Sequence, residues 1–173
     1  MKIVHVVYGL EFGGIETMLV NIVNEQVKSG NEISVVVINN TINAGLRSLI
    51  DERVKFLCIG RPVGSKNPYY ILKFNYRMAK IAPDIIHIHT PSIIRYFIPP
   101  VSYKMCVTKH DIHKVKENRY LKRYKHIYSI SSSLFHLILL NEPSLMYILN
   151  LFLNYKLLLY LLELRVVPVG IEQ

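Results

Sequence analysis

The chain has 173 residues, 51% hydrophobic and 19% charged, which is enough apolar content to close one ordinary hydrophobic core; its 12 Tyr and 6 Phe exclude a disordered composition. Lys and Arg number 21 against 12 Asp and Glu, and the resulting charge of +9 favours nucleic acid, anionic lipid or phosphorylated ligands as partners. Cys58 and Cys106 show no CxxC spacing, which argues against a thiolate metal site or a disulfide framework and leads us to expect a reduced, cytosolic chain.

Residues 2–8 (KIVHVVY) read as a short strand whose near-continuous Ile and Val content fits burial on both faces, hence a parallel sheet. This apolar run is too short for a signal sequence or a membrane span, so export is not expected. A loop through Gly13 and Gly14 opens a helix over 15–29 with Ile15, Met18, Leu19, Ile22, Val23 and Val27 on one stripe, and Gly30 is expected to end it as a left-handed cap. A second buried strand follows at 32–38, then a short helix at 44–51 and a third strand at 54–59.

A loop rich in Gly, Pro and Lys (60–68) precedes a helix at about 69–81, and Pro83-Asp84 introduces a strand at 85–89. Strands at 103–108 and 127–130 flank a basic helix near 114–124. Strands alternating with helices predict βαβ crossovers and an α/β fold with a doubly wound, mostly parallel sheet in a single Rossmann-like domain spanning 1–173. Residues 134–164 depart from this pattern, with 14 Leu among 31 residues and only Glu142, Lys156 and Glu163 charged. The longest apolar run there, 157–162, is well short of a spanning helix, so buried or docking helices are expected, with membrane contact as the alternative.

The Gly13-Gly14 pair lies where open α/β sheets place ligands, at a strand's carboxyl end and a helix N-terminus, although neither the dinucleotide GxGxxG spacing nor a Walker A motif is present. The two glycines either present backbone amides to an anion or simply let the chain turn tightly. His5, His87 and His89 alternate with apolar residues on strands, so they either face a cleft or are satisfied within the core. His110 and Asp111 directly follow a strand and are expected on the same rim as Gly13-Gly14, where an imidazole can donate to or orient a polar ligand near neutral pH.

Five segments occur in succession: Gly13-Gly14-Ile15-Glu16, Pro83 to Thr90 (PDIIHIHT), Thr108-Lys109-His110-Asp111, Ile130-Ser131-Ser132-Ser133 and Val167 to Glu172 (VPVGIE). Together they resemble the N-terminal domain of retaining GT-B glycosyltransferases of family 4. The resemblance implies two Rossmann-like domains facing across a cleft, the first holding the acceptor and the second the nucleotide-sugar donor. It further implies that Gly13 and Gly14 face the donor phosphates, that Glu16 and Asp111 border the cleft, and that His110 contacts the donor sugar as the catalytic residue. The leaving group would be a nucleoside diphosphate, configuration would be retained, and neither a cofactor nor a metal is expected, since no metal-ligand cluster is evident in the spacing. The end at 166–173 resembles the interdomain junction, with Val169 and Glu172 departing from its usual Asn and Asp, so the donor-binding domain is expected from outside this chain.

The stretch 113–125 carries Lys114, Lys116, Arg119, Lys122, Arg123 and Lys125 against Glu117, interleaved with Tyr120, Leu121 and Tyr124. Such a helix suits an anionic membrane surface or is simply solvated; nucleic acid is disfavoured because no recognition motif accompanies the charge. The expected function is therefore the acceptor-binding half of a glycosyltransferase acting on a surface polysaccharide or lipid-linked glycan, peripheral at the cytoplasmic membrane face. The alternative is a non-catalytic truncated remnant or binding module of the same fold.

Overall fold

The computed structural model describes residues 1–99, 103–109 and 127–131. The sheet belongs to a unit of residues 1–137; the remaining unit, 138–173, lies outside the described residues, as do His110, Asp111, the basic stretch 114–125 and the Leu-rich segment. Six strands, β1 (Lys2–Val7), β2 (Glu32–Asn39), β3 (Lys55–Arg61), β4 (Ile85–Ile88), β5 (Lys104–Lys109) and β6 (Ile127–Ser131), form one sheet in the order β3-β2-β1-β4-β5-β6. Every neighbouring pair is parallel. The chain thus winds outward from β1 in one direction and from β4 in the other, the doubly wound Rossmann-like arrangement, with its switch point between β1 and β4.

Parallel strands buried on both faces explain the unbroken Ile and Val runs, and the two faces can be told apart residue by residue. Val4, Val6, Val36, Ile38, Ile86, Ile88, Met105 and Val107 point to the face covered by α3 (Tyr69–Ile81) and a 3-10 turn, η1 (Pro91–Tyr96), and pack there with Phe74, Met78, Ile93, Ile94, Tyr96 and Phe97. The opposite face carries Ile3, His5, Val7, Ile33, Val35 and Val37 and is covered by α1 (Gly14–Lys28) through Leu19, Val23, Gln26 and Val27.

Helix α1 ends as expected, with Gly30 in the left-handed region at φ 81°. α2 (Ala44–Ser48) is shorter than predicted because Asp51 is engaged elsewhere: its amide donates to Asn24 Oδ1 and its carboxylate pairs with Arg53. The turn η1 was not predicted; Pro91 stands at its first position, where its missing N–H costs nothing.

Candidate functional site

Ligands of open α/β sheets sit outside the carboxyl ends of the strands at the switch point, and here the segments leaving β1 and β4 meet at that place. Tyr8, directly after β1, donates from its hydroxyl to Ser92 Oγ at 3.1 Å, tying the first strand's exit to η1. The β1–α1 loop is pinned to the loop after β2: Leu10 N–H donates to the Thr41 carbonyl at 2.9 Å and Asn43 N–H to the Leu10 carbonyl at 2.6 Å. A Cβ at Gly9 would lie 2.5 Å from Thr41 Oγ1, so a side chain there would force the Thr41 hydroxyl to turn away.

Gly13 and Gly14 stand where the sequence predicts them, at the start of α1 on this rim. Gly13 is extended (φ −167°) and caps the helix without any side-chain hydrogen bond, while Gly14 opens onto free space. Glu16, at the third helical position, folds its carboxylate back toward Gly13, so that a Cβ there would meet Glu16 Oε2 at 2.5 Å and turn that flexible side chain away. Its negative charge beside the positive end of the helix dipole is a stabilising arrangement. An incoming phosphate at this N-terminus would displace that carboxylate. His110 follows Lys109, the last residue of β5, and so continues from a strand's carboxyl end; like Asp111, it lies outside the described residues.

Beneath α1, the face of the sheet opposite the apolar cluster holds three imidazoles. His5 and His87 are partners across β1 and β4, and His89 follows two residues on, so all three project to one side. They are 0%, 4% and 0% exposed, so of the two sequence alternatives the structure places them in the core and not in a cleft. His5 Nε2 lies 2.6 Å from Gln26 Oε1, and His5 Nδ1 lies 3.0 Å from His89 Nε2. Because an amide oxygen only accepts, His5 carries its proton on Nε2, leaving Nδ1 to accept from His89 Nε2–H. Burial, only partly offset by the bond to Gln26, holds His5 far below the ordinary imidazole range, at about 4. His87 Nε2 meets Thr108 Oγ1 at 2.7 Å, and the neighbouring Cys106 thiol is pushed up to about 12 by burial. Both cysteines are free thiols.

One potential ligand atom from each of His5, His87 and His89 lies within 4.8 Å of the others, a grouping that a separation of more than 80 residues concealed in the sequence. Three imidazoles are the donor set of a zinc or copper site. His5, however, spends both nitrogens on protein partners, Gln26 and His89, and His87 Nε2 is engaged by Thr108 Oγ1. The arrangement is that of a hydrogen-bonded polar core.

Sequence reasoning missed Tyr8, Ser92 and Gln26. Gln26 falls on the buried stripe of α1, seven residues after Leu19 and three after Val23, and an amide at that spacing opposite a strand histidine is the signal that could have found it. Among the described residues, no helix is long and apolar enough to cross a membrane.

Comparison with curated proteins returns no match. A family model described as Glycosyltransferase Family 4 matches residues 12–145, well over half the chain. The matched stretch runs from the end of the β1–α1 loop through Gly13-Gly14, the buried histidines of β4 and its exit, and the Thr108-Lys109-His110-Asp111 segment. With the doubly wound parallel sheet and its rim of loops at the β1/β4 switch point, this match shows that the chain belongs to glycosyltransferase family 4.

Proposed function

We propose that this chain forms the acceptor-binding side of a retaining glycosyltransferase that moves a sugar from a nucleotide-sugar donor to a surface polysaccharide or lipid-linked glycan. The observation that carries this reading is the meeting of the β1 and β4 exits, Tyr8 against Ser92, beside the uncapped amide end of α1 at the switch point of a family 4 domain. Gly13 and Gly14 face the donor phosphates, Glu16 and Asp111 border the cleft, and His110 hydrogen-bonds the donor sugar. A second Rossmann-like domain supplies the donor pocket, and no metal or cofactor takes part. Since these roles need the donor held from the opposite side, the chain alone should release no nucleoside diphosphate from a panel of nucleotide sugars above the no-enzyme background. Supplying a donor-binding domain by fusion after Gln173 or as a separate chain should restore turnover. His110→Ala should then depress turnover with the melting temperature nearly unchanged. Turnover by the chain alone that His110→Ala abolishes would overturn the division of labour between the two sides.

The basic stretch 114–125 supports a place at an anionic membrane surface, at about 1 kcal/mol per basic residue near such a surface. α3 adds exposed Tyr69, Leu72 and Tyr76, spaced three and four residues apart. Binding to vesicles containing anionic lipid should exceed binding to neutral vesicles and fall as salt rises, because exposed charges are screened over about 8 Å at physiological ionic strength. Equal sedimentation with both kinds of vesicle would contradict this and transfer the contact to apolar segments.

A further inference from the structure

The rim has a second anion-facing feature, on the face of the sheet opposite α1. From residue 54 to residue 109 the sequence carries nine Lys and Arg and one acid, Asp84. Asp84 stands at the amino end of β4, where it accepts from the Lys2 amide at 2.7 Å, and so lies at the far end of the strands from the rim. Of the nine, Arg61 ends β3 and Arg95 lies on η1 after β4, so both stand at the carboxyl-end rim, away from Asp84. Both are held in place. Arg61, the last residue of β3, donates to Asn39 Oδ1 at 3.1 Å and to the Ser65 carbonyl, and its guanidinium carbon lies 5.8 Å from the centre of the Tyr96 ring. Arg95, exposed on η1, has its guanidinium carbon 5.6 Å from the centre of the same ring and lies beside the Tyr8 hydroxyl.

The ring between them is rigidly backed. Tyr96 is 4% exposed and meets Phe74 and Tyr8 edge-on at 6.3 and 6.0 Å. Among the described residues the ion pairs are Lys28–Glu25, Arg53–Asp51 and Lys55–Glu32, and neither Arg61 nor Arg95 has a carboxylate partner. Each guanidinium has five N–H donors; Arg61 spends a part of them on Asn39 and Ser65, and Arg95 a part on the Tyr8 and Tyr96 side chains. Each guanidinium carbon lies within 6 Å of the centre of one anchored aromatic ring and neither is ion-paired among the described residues, and a guanidinium is the planar, multi-donor group that recognises a phosphate or carboxylate.

We propose that Arg61 and Arg95, set around Tyr96 and beside Tyr8, bind an oxyanion, phosphate or carboxylate, carried by the acceptor saccharide. This rests on the acceptor-side reading above and adds the chemical class of the acceptor. It places the acceptor's charge on the α3/η1 face of the rim and the donor's phosphates on the α1 face, so the two anions approach the switch point from opposite sides of the sheet.

Binding to the full chain can be measured directly, without any transfer reaction, using glucose 1-phosphate, glucuronate, glucose and inorganic phosphate as probes. The phosphorylated sugar, the uronate or both should bind at least about tenfold more tightly than glucose, the tighter of the two identifying the oxyanion. Arg95→Gln, at an exposed site that leaves the fold intact, should weaken that binding by about tenfold, the size expected for losing one charge-assisted hydrogen bond. Arg61→Gln should do the same, with its melting temperature measured alongside because it also loses the Asn39 and Ser65 bonds. Lys80→Gln, an equal change of charge on the last turn of α3, should have no effect. Glucose binding as well as its charged analogues, or Lys80→Gln weakening binding as much as Arg95→Gln, would overturn the proposal. Inorganic phosphate binding as tightly as the sugar phosphate would mark an adventitious ion only and would overturn it too. Failure here with successful transfer to a neutral acceptor by the reconstituted enzyme would leave the acceptor-side reading intact; binding as expected without any transfer would strike that reading and not the oxyanion site.

Discussion

Phe74→Ala should destabilise the domain by about 3 to 5 kcal/mol, the range measured when a fully buried phenylalanine is truncated and its neighbours relax only in part. Phe74 is 0% exposed and packs edge-on against Phe97 at 4.9 Å and Tyr96 at 6.3 Å, so its removal opens a cavity where α3, η1 and the sheet meet. A loss of that size is a large fraction of the roughly 5 to 15 kcal/mol that holds an ordinary domain together, and thermal melting should fall by on the order of 10 °C. Tyr69→Ala, at a position 56% exposed one turn earlier on α3, should change stability by less than about 0.5 kcal/mol. Because Phe74 backs Tyr96, the damage should extend to the rim: any ligand held around the Tyr96 ring should bind more weakly to Phe74→Leu even where the fold survives. Equal losses for Phe74→Ala and Tyr69→Ala in denaturant titrations would contradict this account of the core.

The second large effect is one of pH. His5 titrates at about 4 in the folded chain against 6.5 for an ordinary histidine, because burial opposes its charged form more strongly than the bond to Gln26 favours it. Between those two values the unfolded chain takes up a proton that the folded chain refuses, so stability falls as the pH falls. It should be fully present above about pH 6.5 and should have lost about 3 kcal/mol by pH 4, at roughly 1.4 kcal/mol per unit. The groups facing His5 are Gln26 from α1 and His87 and His89 from β4 and its exit, with no acid among them to rescue the charge. Denaturant unfolding followed between pH 7.5 and 4 should show this slope, and His5→Gln, which removes the proton site and keeps a polar end toward Gln26, should flatten it. A slope unchanged in His5→Gln would assign the titration to another group.

The architecture was legible because strands buried on both faces write themselves as short Ile and Val runs, and each run here is punctuated by Gly, Pro or Asn. The boundaries of β2 and α3 and the cap at Gly30 follow from that local chemistry alone. The end of α2 did not, because Asp51 is held by Asn24 and Arg53, contacts that no local pattern announces. The position of Gly13 and Gly14 at the start of α1 could be read, since a strand–glycine–helix junction is a local feature. The rim's long-range members could not be read: Tyr8 and Ser92 are 84 residues apart, and Arg61 and Arg95 share a ring only because β3 and η1 end on the same side of the sheet. The polar cluster illustrates both limits at once. His5, His87 and His89 were visible as histidines within strands, but Gln26, which fixes the protonation of His5, became visible only when α1 was laid across β1.

The imidazoles beneath α1 also bear on how the strands find one another. β1 and β4 are so nearly uniform in Ile and Val that apolar burial would tolerate either strand sliding by one residue, an error that turns every side chain to the opposite face. Such a slip would carry His5, or His87 with His89, away from Gln26 and Thr108 and into the layer of Phe74, Met78 and Ile93, where a buried ring without a hydrogen-bond partner costs about 1 to 3 kcal/mol. Valines at these three positions would pack well in either alignment. The histidines penalise mispairing in an all-parallel sheet, a topology in which loop closure must precede every strand contact and in which a one-residue slip would otherwise cost little.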